Sequence, residues 1–329
     1  MEMKVASQKE YAIGVDIGGT KILLMAADRH GVVRHKKKVS STGNLEEIFR
    51  LVDMFIEESN LQHQDIAGMG IGVPGDMKGT EGIVRVSVQM GWKNTDIGAF
   101  IKGRYAFPVF IKNDVNCSAL GERWFGNGDN TDHMVYISIG TGLGGAIIAN
   151  GRLVEGNNYS AGEFGYIVDK EDIRAGVFNS AEGFGNLERK IAGRSLSQKS
   201  DGIGCTSREL FREYIQQNKA AVEIVEQYTT DLSILIANLV SILNPEIVII
   251  GGGVSESMGL IKGIITEAVN KLTIFPVDIR LSKLGGEAGA YGCIYYVFYE
   301  GLPQLEKVPQ EKQKAWRKGF EAMYQDCPQ

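Results

Sequence analysis

A glycine-tipped hairpin that occurs twice narrows the possible folds more than any other feature of this chain. Residues 11–16 are apolar and alternating, break at Gly18-Gly19, and resume over 20–27. Asp28-Arg29-His30-Gly31 then turns the chain into a third extended run over 32–39. The same order returns at residues 134–139, broken by Gly140-Thr141-Gly142, resumed over 143–149, and turned by Asn150-Gly151 into 152–154. Superimposing Val15-Asp16-Ile17-Gly18-Gly19 on Ile137-Ser138-Ile139-Gly140-Thr141 aligns strand, glycine loop, strand and turn. The pattern reads as an internal duplication, with one hairpin opening each of two domains.

Helices and further strands follow each hairpin. Asn44 with Glu47 marks a helix start, and Leu45, Ile48, Val52, Phe55 and Ile56 continue at helical spacing. Residues 67–73 read as a buried strand ending at Pro74-Gly75, followed by a polar, glycine-rich stretch containing Trp92. Residues 108–112 form a strand that runs into Asn113-Asp114-Val115-Asn116. In the second half, 219–243 is a long helical pattern stopped by Asn244-Pro245, and 246–250 is a strand ending in Gly251-Gly252-Gly253. Ser255 is expected to cap a helix to about 272, with a strand at 278–283 and a helix over 287–300. Strands alternating with helices indicate α/β layers.

Composition excludes several classes. The chain has 329 residues, which suggests two domains at roughly 150 residues each. Apolar residues at 43% and charged residues at 23% are those of a globular protein, not a disordered or coiled-coil one. A net charge of −5 supplies no basic field for nucleic acid. No apolar run approaches the ~20 residues that span a bilayer, and the first ten residues lack a signal-peptide core. Cys117, Cys205, Cys293 and Cys327 are widely spaced, so neither a disulfide framework nor a zinc knuckle is expected, and a cytoplasmic setting fits.

The 42 glycines are clustered, and the clusters point to chemistry. Gly140-Thr141-Gly142-Leu143-Gly144-Gly145 matches the dinucleotide fingerprint in letters, but an apolar strand follows it where that fingerprint needs a helix. Two glycine hairpins suit a different task. Their backbone amides form concave nests for phosphate oxygens, and one from each domain is able to grip a triphosphate from both sides of a cleft. Asp16 lies between the glycines and the apolar strand, where it is able to hold Mg²⁺ or to cap the turn. Thr20 and Lys21 are each able to reach a phosphate oxygen, and Lys21 equally to stay solvated. Asp114 stands at the end of a buried strand, where α/β proteins place ligands, and is open to catalysis or to helix capping. Asn113 and Asn116 beside it are able to hydrogen-bond a polyol.

Taken in order, Asp16-Ile17-Gly18-Gly19-Thr20-Lys21, Gly72-Val73-Pro74-Gly75, Asn113-Asp114-Val115-Asn116, Gly140-Thr141-Gly142-Leu143-Gly144-Gly145 and Gly162-Glu163-Phe164-Gly165 resemble the ROK family of repressors and sugar kinases. The similarity runs from about residue 11 to about 299. It implies two actin-like ATPase (ribonuclease H-like) α/β domains with a cleft between them. The expected boundaries are 1–118, completed by a C-terminal helix over about 290–329, and 119–289. Because the first hairpin starts at residue 11, no room is left for the helix-turn-helix of the repressors, and the kinase branch is expected. The resemblance implies ATP and Mg²⁺ as cofactors and glucose, phosphorylated at its 6-hydroxyl, as substrate. Kinases for N-acetylmannosamine, allose or fructose are the alternatives, with a non-catalytic sensor as the rival class. Asp114 would be the general base, and Asp16 would help hold Mg²⁺. Gly18, Gly19, Thr20, Lys21, Gly140, Thr141 and Gly142 would hold the phosphates, and Gly251, Gly252 and Gly253 would lie near the adenosine. Asn113, Asp114, Glu163 and Glu188 would bind the sugar hydroxyls, with Gly75 lining the pocket. Homodimerisation is common in the family.

One departure is large. Many family members carry a zinc-binding histidine and three cysteines after the Gly-Glu-x-Gly motif, whereas here these positions are Tyr166, Asn179, Ala181 and Asn186. None is a soft zinc ligand, so no structural zinc is expected. Packing by Phe178 and Phe184 is expected to hold the loop from Asp169 to Gly185 instead. Tyr166 is able to donate a hydrogen bond to the sugar from a different position. His30, His35, His63 and His133 are expected in polar, loop-like surface settings, and the tail beyond 301 to form an amphipathic helix with Trp316, Phe320 and Met323.

Overall fold

The computed structural model describes residues 10–79, 81–180 and 183–306. The chain divides into two compact units, one running to Gly121 and resuming at Glu287, the other spanning Glu122–Gly286. The first opens with strands β1 (Tyr11–Ile17), β2 (Lys21–Asp28) and β3 (Val33–Ser40), followed by helix α1 (Leu45–Glu58) and β4 (Ile66–Val73). Asn44 caps α1 by accepting from the Glu47 amide at 3.3 Å, as its sequence position predicts. After β4 the polar stretch folds into an unforeseen three-stranded sheet, β5 (Asp76–Lys78), β6 (Ile83–Ser87) and β7 (Trp92–Asp96). Trp92 is buried and donates its indole N–H to the Gly43 carbonyl at 2.8 Å. Helix α2 (Ile97–Ile101) and strand β8 (Val109–Asn113) lead to helix α3 (Asp114–Phe125).

The second unit repeats the opening with β9 (Met134–Ile139), β10 (Leu143–Ala149) and β11 (Arg152–Leu153). Short helices α4 (Lys170–Arg174), α5 (Glu188–Ile191), α6 (Gly193–Asp201) and α7 (Ser207–Ile215) precede the long α8 (Lys219–Leu243). Asn244 ends α8 in the left-handed conformation, at φ 45°. Strand β12 (Ile247–Gly251), helix α9 (Lys262–Leu272) and strand β13 (Asp278–Leu281) complete this unit. Ser255 does not cap α9: its hydroxyl donates to the Gly252 carbonyl at 2.7 Å, and a 3₁₀ turn over Ser255–Leu260 intervenes.

The duplication is visible in the topology. One sheet has the order β3-β2-β1-β4-β8 and the other β11-β10-β9-β12-β13, with the same pattern of antiparallel and parallel pairs. Each sheet has its own core, built on Val15, Leu24, Phe49 and Phe55 in one unit and on Ile137, Phe211, Tyr228 and Ile250 in the other. Helix α10 (Ala288–Tyr295) returns to the first unit and packs on β1 and β4. The segment containing Trp316, Phe320 and Met323 lies outside the described residues. His35 is not in a loop: it sits on β3, half-buried, with its ring stacked 5.1 Å from that of Phe55. His63 does lie in an exposed turn, with its ring 5.7 Å from that of Phe107.

Candidate active site

In the first unit, three strand ends bring the Asp16 carboxylate and the Asp114 backbone to one glycine. Asp16 lies near the end of β1 and pairs in register with Gly72 of β4, while β8 runs directly into α3 at Asn113-Asp114. A Cβ placed on Gly72 would lie 3.4 Å from the Asp114 Cα and 3.5 Å from Asp16 Oδ1. Capping of α3 falls to Asn113, whose Oδ1 accepts from the amides of Val115 at 2.9 Å and Asn116 at 3.1 Å. The Asn113 Nδ2 donates to the Gly75 carbonyl at 3.2 Å, which ties the helix start to the loop after β4. Gly75 itself, at φ 110°, leaves no space for a side chain beside Val86 and Ser87.

Asp16 is half-buried, and burial of its carboxyl group pushes its pKa up to about 7, with Lys38 pulling the other way. Among the described residues no group donates a hydrogen bond to that carboxylate. Gly289 of α10 covers it so closely that a Cβ there would lie 2.5 Å from Asp16 Oδ2. A buried carboxylate without a protein donor fits a hard cation. The adjoining hairpin closes with the Gly18 amide donating to the Lys21 carbonyl at 2.9 Å, leaving Gly19, Thr20 and Lys21 exposed.

The second unit carries its hairpin at the edge of a cavity. The Gly140 amide donates to the Gly142 carbonyl at 3.0 Å, and Thr141 is exposed at the tip. A cavity of about 560 Å³ is lined by Gly140, Thr141, Arg194, Arg208, Phe211 and Gly253 among others, with no acidic residue among the described residues of its wall. The hairpin and the glycine cluster after β12 thus meet at one space. Arg194, Arg208 and Phe211 carry no sequence signal for this position, since they come from helices 50 to 70 residues after the hairpin. Glu188 acts first as a brace: Oε1 accepts from the Leu143 amide at 2.9 Å and Oε2 from the Gly185 amide at 3.1 Å. Burial raises its pKa, and the two amides oppose that rise.

The loop between these elements is held by polar groups. Glu163 precedes a 3₁₀ turn over Phe164–Tyr166, and Tyr166 is 40% exposed. Phe178 is 70% exposed and anchors nothing, contrary to the expected packing role; Phe184 does pack, under Arg194. Asn179 donates to the Tyr166 carbonyl at 2.6 Å and accepts from the Asn186 amide at 2.8 Å. Asn186, 1% exposed, donates its side-chain amide to the Val177 carbonyl at 3.0 Å. Three of the four departing positions, Tyr166, Asn179 and Asn186, are therefore joined by hydrogen bonds; Ala181 lies outside the described residues. Asn186→Ala leaves the Val177 carbonyl without this donor and is expected to cost about 1–3 kcal/mol. A thermal melt checks this, and a midpoint unchanged from wild type would show that the clasp is dispensable.

Two sheets of identical order, each opened by a glycine hairpin, define a duplicated α/β protein. The ROK family model matches residues 12–299, and the chain belongs to that family. Glucokinase of Halalkalibacterium halodurans is 29% identical over 308 residues, covering 86% of this chain and 93% of the relative. The xylose repressor of Caldicellulosiruptor bescii is 28% identical over 320 residues, covering 88% and 78%. A ROK family glucokinase from Streptomyces griseus, in complex with glucose and AMPPNP, is 27% identical with a TM-score of 0.70, covering 86% of this chain and 98% of its own. The fold is accordingly the two-domain actin-like ATPase fold of the ROK sugar kinases. Among the described residues no helix is long and apolar enough to cross a membrane.

Proposed function

We propose that this chain is an ATP-dependent hexose kinase that transfers the γ-phosphoryl group of ATP to a sugar hydroxyl, with glucose to glucose 6-phosphate as the reaction. The observation that carries this reading is the approach of Asp16 and Asp114 to Gly72, at a helix start that Asn113 caps. Capping by Asn113 leaves Asp114 the chemical role: its carboxylate takes the proton of the attacking hydroxyl as that oxygen bonds to phosphorus and the bond to ADP breaks. Asn113, Gly75, Glu163, Tyr166 and Glu188 are assigned to the sugar. The amides and side chains of Gly18, Gly19, Thr20 and Lys21 and of Gly140, Thr141 and Gly142 are assigned to the phosphates, and Gly251, Gly252 and Gly253 to the adenosine side. Asp16 is assigned to Mg²⁺, which supplies charge neutralisation on the phosphates when bound. Positioning and charge stabilisation account for most of the rate in such a reaction.

The Asp16 assignment has a measurable consequence. Its folded-state pKa of about 7 lies above the ordinary value of 3.8, so between those values the folded protein keeps a proton that the unfolded chain releases. The contribution of Asp16 alone to stability without ligand is therefore full below about pH 4 and is lost as the pH rises through about 7. Asp16→Asn removes that fall and is expected to melt higher than wild type at pH 8 while losing phosphoryl transfer. Thermal melts over pH 5–8 check it, and a variant that melts lower at pH 8 contradicts it.

ADP release from Mg·ATP tests the reading, measured against glucose, N-acetylmannosamine, allose, fructose and a control without sugar. Tyr166 at the position of the family histidine makes this panel necessary. Release with one sugar above the control supports a kinase and names its substrate. Binding of sugar without release moves the reading to the non-catalytic sensor.

A further inference from the structure

Arg194 borders two spaces in the second unit. One is the 560 Å³ cavity beside the hairpin, and the other, of about 250 Å³, reaches Phe184 and Glu188. Its backbone amide donates to the Thr141 carbonyl at 3.4 Å, and its guanidinium carbon lies 4.9 Å from the centroid of the Phe184 ring. Among the described residues no carboxylate lies within 4.0 Å of that guanidinium. Arg194 and Arg208 are both exposed, but Arg208 pairs with Glu256 at 3.4 Å. Arg194 is therefore the cavity's uncommitted cation, with one face against an aromatic ring and the N–H donors along its planar edge available to an anion.

The contacts close a circuit. Phe184 adjoins Gly185, whose amide is held by Glu188 Oε2, and Glu188 Oε1 holds the Leu143 amide next to the hairpin. The Tyr166 hydroxyl donates to the Gly183 carbonyl at 3.5 Å on the same loop. We propose that Arg194 binds a phosphate oxygen of the nucleotide and that its stacking on Phe184 passes nucleotide occupancy to the loop carrying Tyr166 and Glu188. The identity of the anion rests on the kinase reading. A guanidinium fixed by phosphate presents a fixed surface to Phe184, so binding in the cavity restricts the loop without moving a domain.

The test uses the full chain and Mg·AMPPNP as the probe, with no sugar present. Affinity is measured by calorimetry, and hydrogen exchange is followed over residues 164–168 and 183–189 with and without the nucleotide. Wild type is expected to show exchange at these amides slowed at least about fivefold by Mg·AMPPNP, a coupling of ordinary size. Arg194→Ala is expected to bind at least about tenfold more weakly, losing a charge-assisted contact. Arg194→Lys keeps the charge without the planar fork, and is expected to bind while losing the slowing; it serves also if the alanine variant does not fold. Phe184→Leu is expected to bind within about threefold of wild type yet lose the slowing, and Phe184→Trp to retain it. The proposal is overturned if Arg194→Ala folds and binds within twofold of wild type. Full slowing in Arg194→Lys or Phe184→Leu, or none in wild type, would also sink it. Nucleotide binding with these dependences but no ADP release on any sugar upholds the inference and overturns the kinase reading. Failure of wild type to bind Mg·AMPPNP overturns both.

Discussion

Asp114→Asn is expected to lower kcat by about 10²–10⁴-fold, the usual contribution of a positioned general base. The substitution is close to isosteric, and α3 keeps its start, because the cap belongs to Asn113. The Val115 amide, which donates to Asp114 Oδ1 at 2.9 Å, still finds an oxygen acceptor in asparagine. Melting temperature and the affinities for Mg·AMPPNP and sugar should therefore stay near wild type, the affinities within about threefold, while proton acceptance is lost. A variant that retains a tenth or more of wild-type kcat would remove Asp114 from the chemical step.

The second large effect is on folding. Helices α3 and α10 cross so closely that a Cβ on Gly292 would be driven into the Cys117 carbonyl oxygen and come within 2.9 Å of the Gly121 amide. Backbone cannot move aside as a flexible side chain can, so Gly292→Ala must part the helices. Overpacking of this kind is expected to cost at least about 3 kcal/mol, at the upper end of such substitutions. At 2–4 °C per kcal/mol for a domain of this size, the melting midpoint should fall by about 6–12 °C. Because α3 carries Asp114 and α10 covers Asp16, activity should fall further than stability alone requires. A midpoint within 2 °C of wild type would show that the crossing relaxes freely.

Local pattern made much of this fold legible. The strands Met134–Ile139 and Leu143–Ala149 and the helix Lys219–Leu243 fall where periodicity and breakers put them, because each is a run with one strong signal and a clear stop. The duplicated hairpin predicted two sheets of one topology. The sheet from Asp76 to Asp96 was hidden because its strands are only three to five residues long and the two outer ones, Asp76–Lys78 and Trp92–Asp96, are mostly polar, with an Asp76–Arg85 ion pair at 2.6 Å. His35 looked like a surface residue beside three lysines, yet strand alternation turns it towards Phe55.

Candidate site residues could be read from the sequence where they sat in a contiguous motif, and not where tertiary packing created the arrangement. Asp16 and Asp114 could be named from their positions at strand ends. Their approach to Gly72, and the cover that Gly289 gives Asp16, arise from three strands and a helix far apart in the chain. Arg194 reaches the 560 Å³ cavity in the same way, with no local pattern to mark it. The clasp of Asn179 and Asn186 replaces a recognisable ligand set with hydrogen bonds to backbone, whose geometry no spacing rule encodes.

Release of ADP does not by itself separate transfer to a sugar from hydrolysis. The decisive measurement is ³¹P NMR of the reaction of wild-type protein with Mg·ATP and the sugar that supports turnover, beginning with glucose. A sugar phosphate resonance growing in step with ADP, with inorganic phosphate near background, is the predicted result. ADP accompanied only by inorganic phosphate, or no phosphoryl transfer to any sugar of the panel, would contradict the assignment of this site to a sugar kinase.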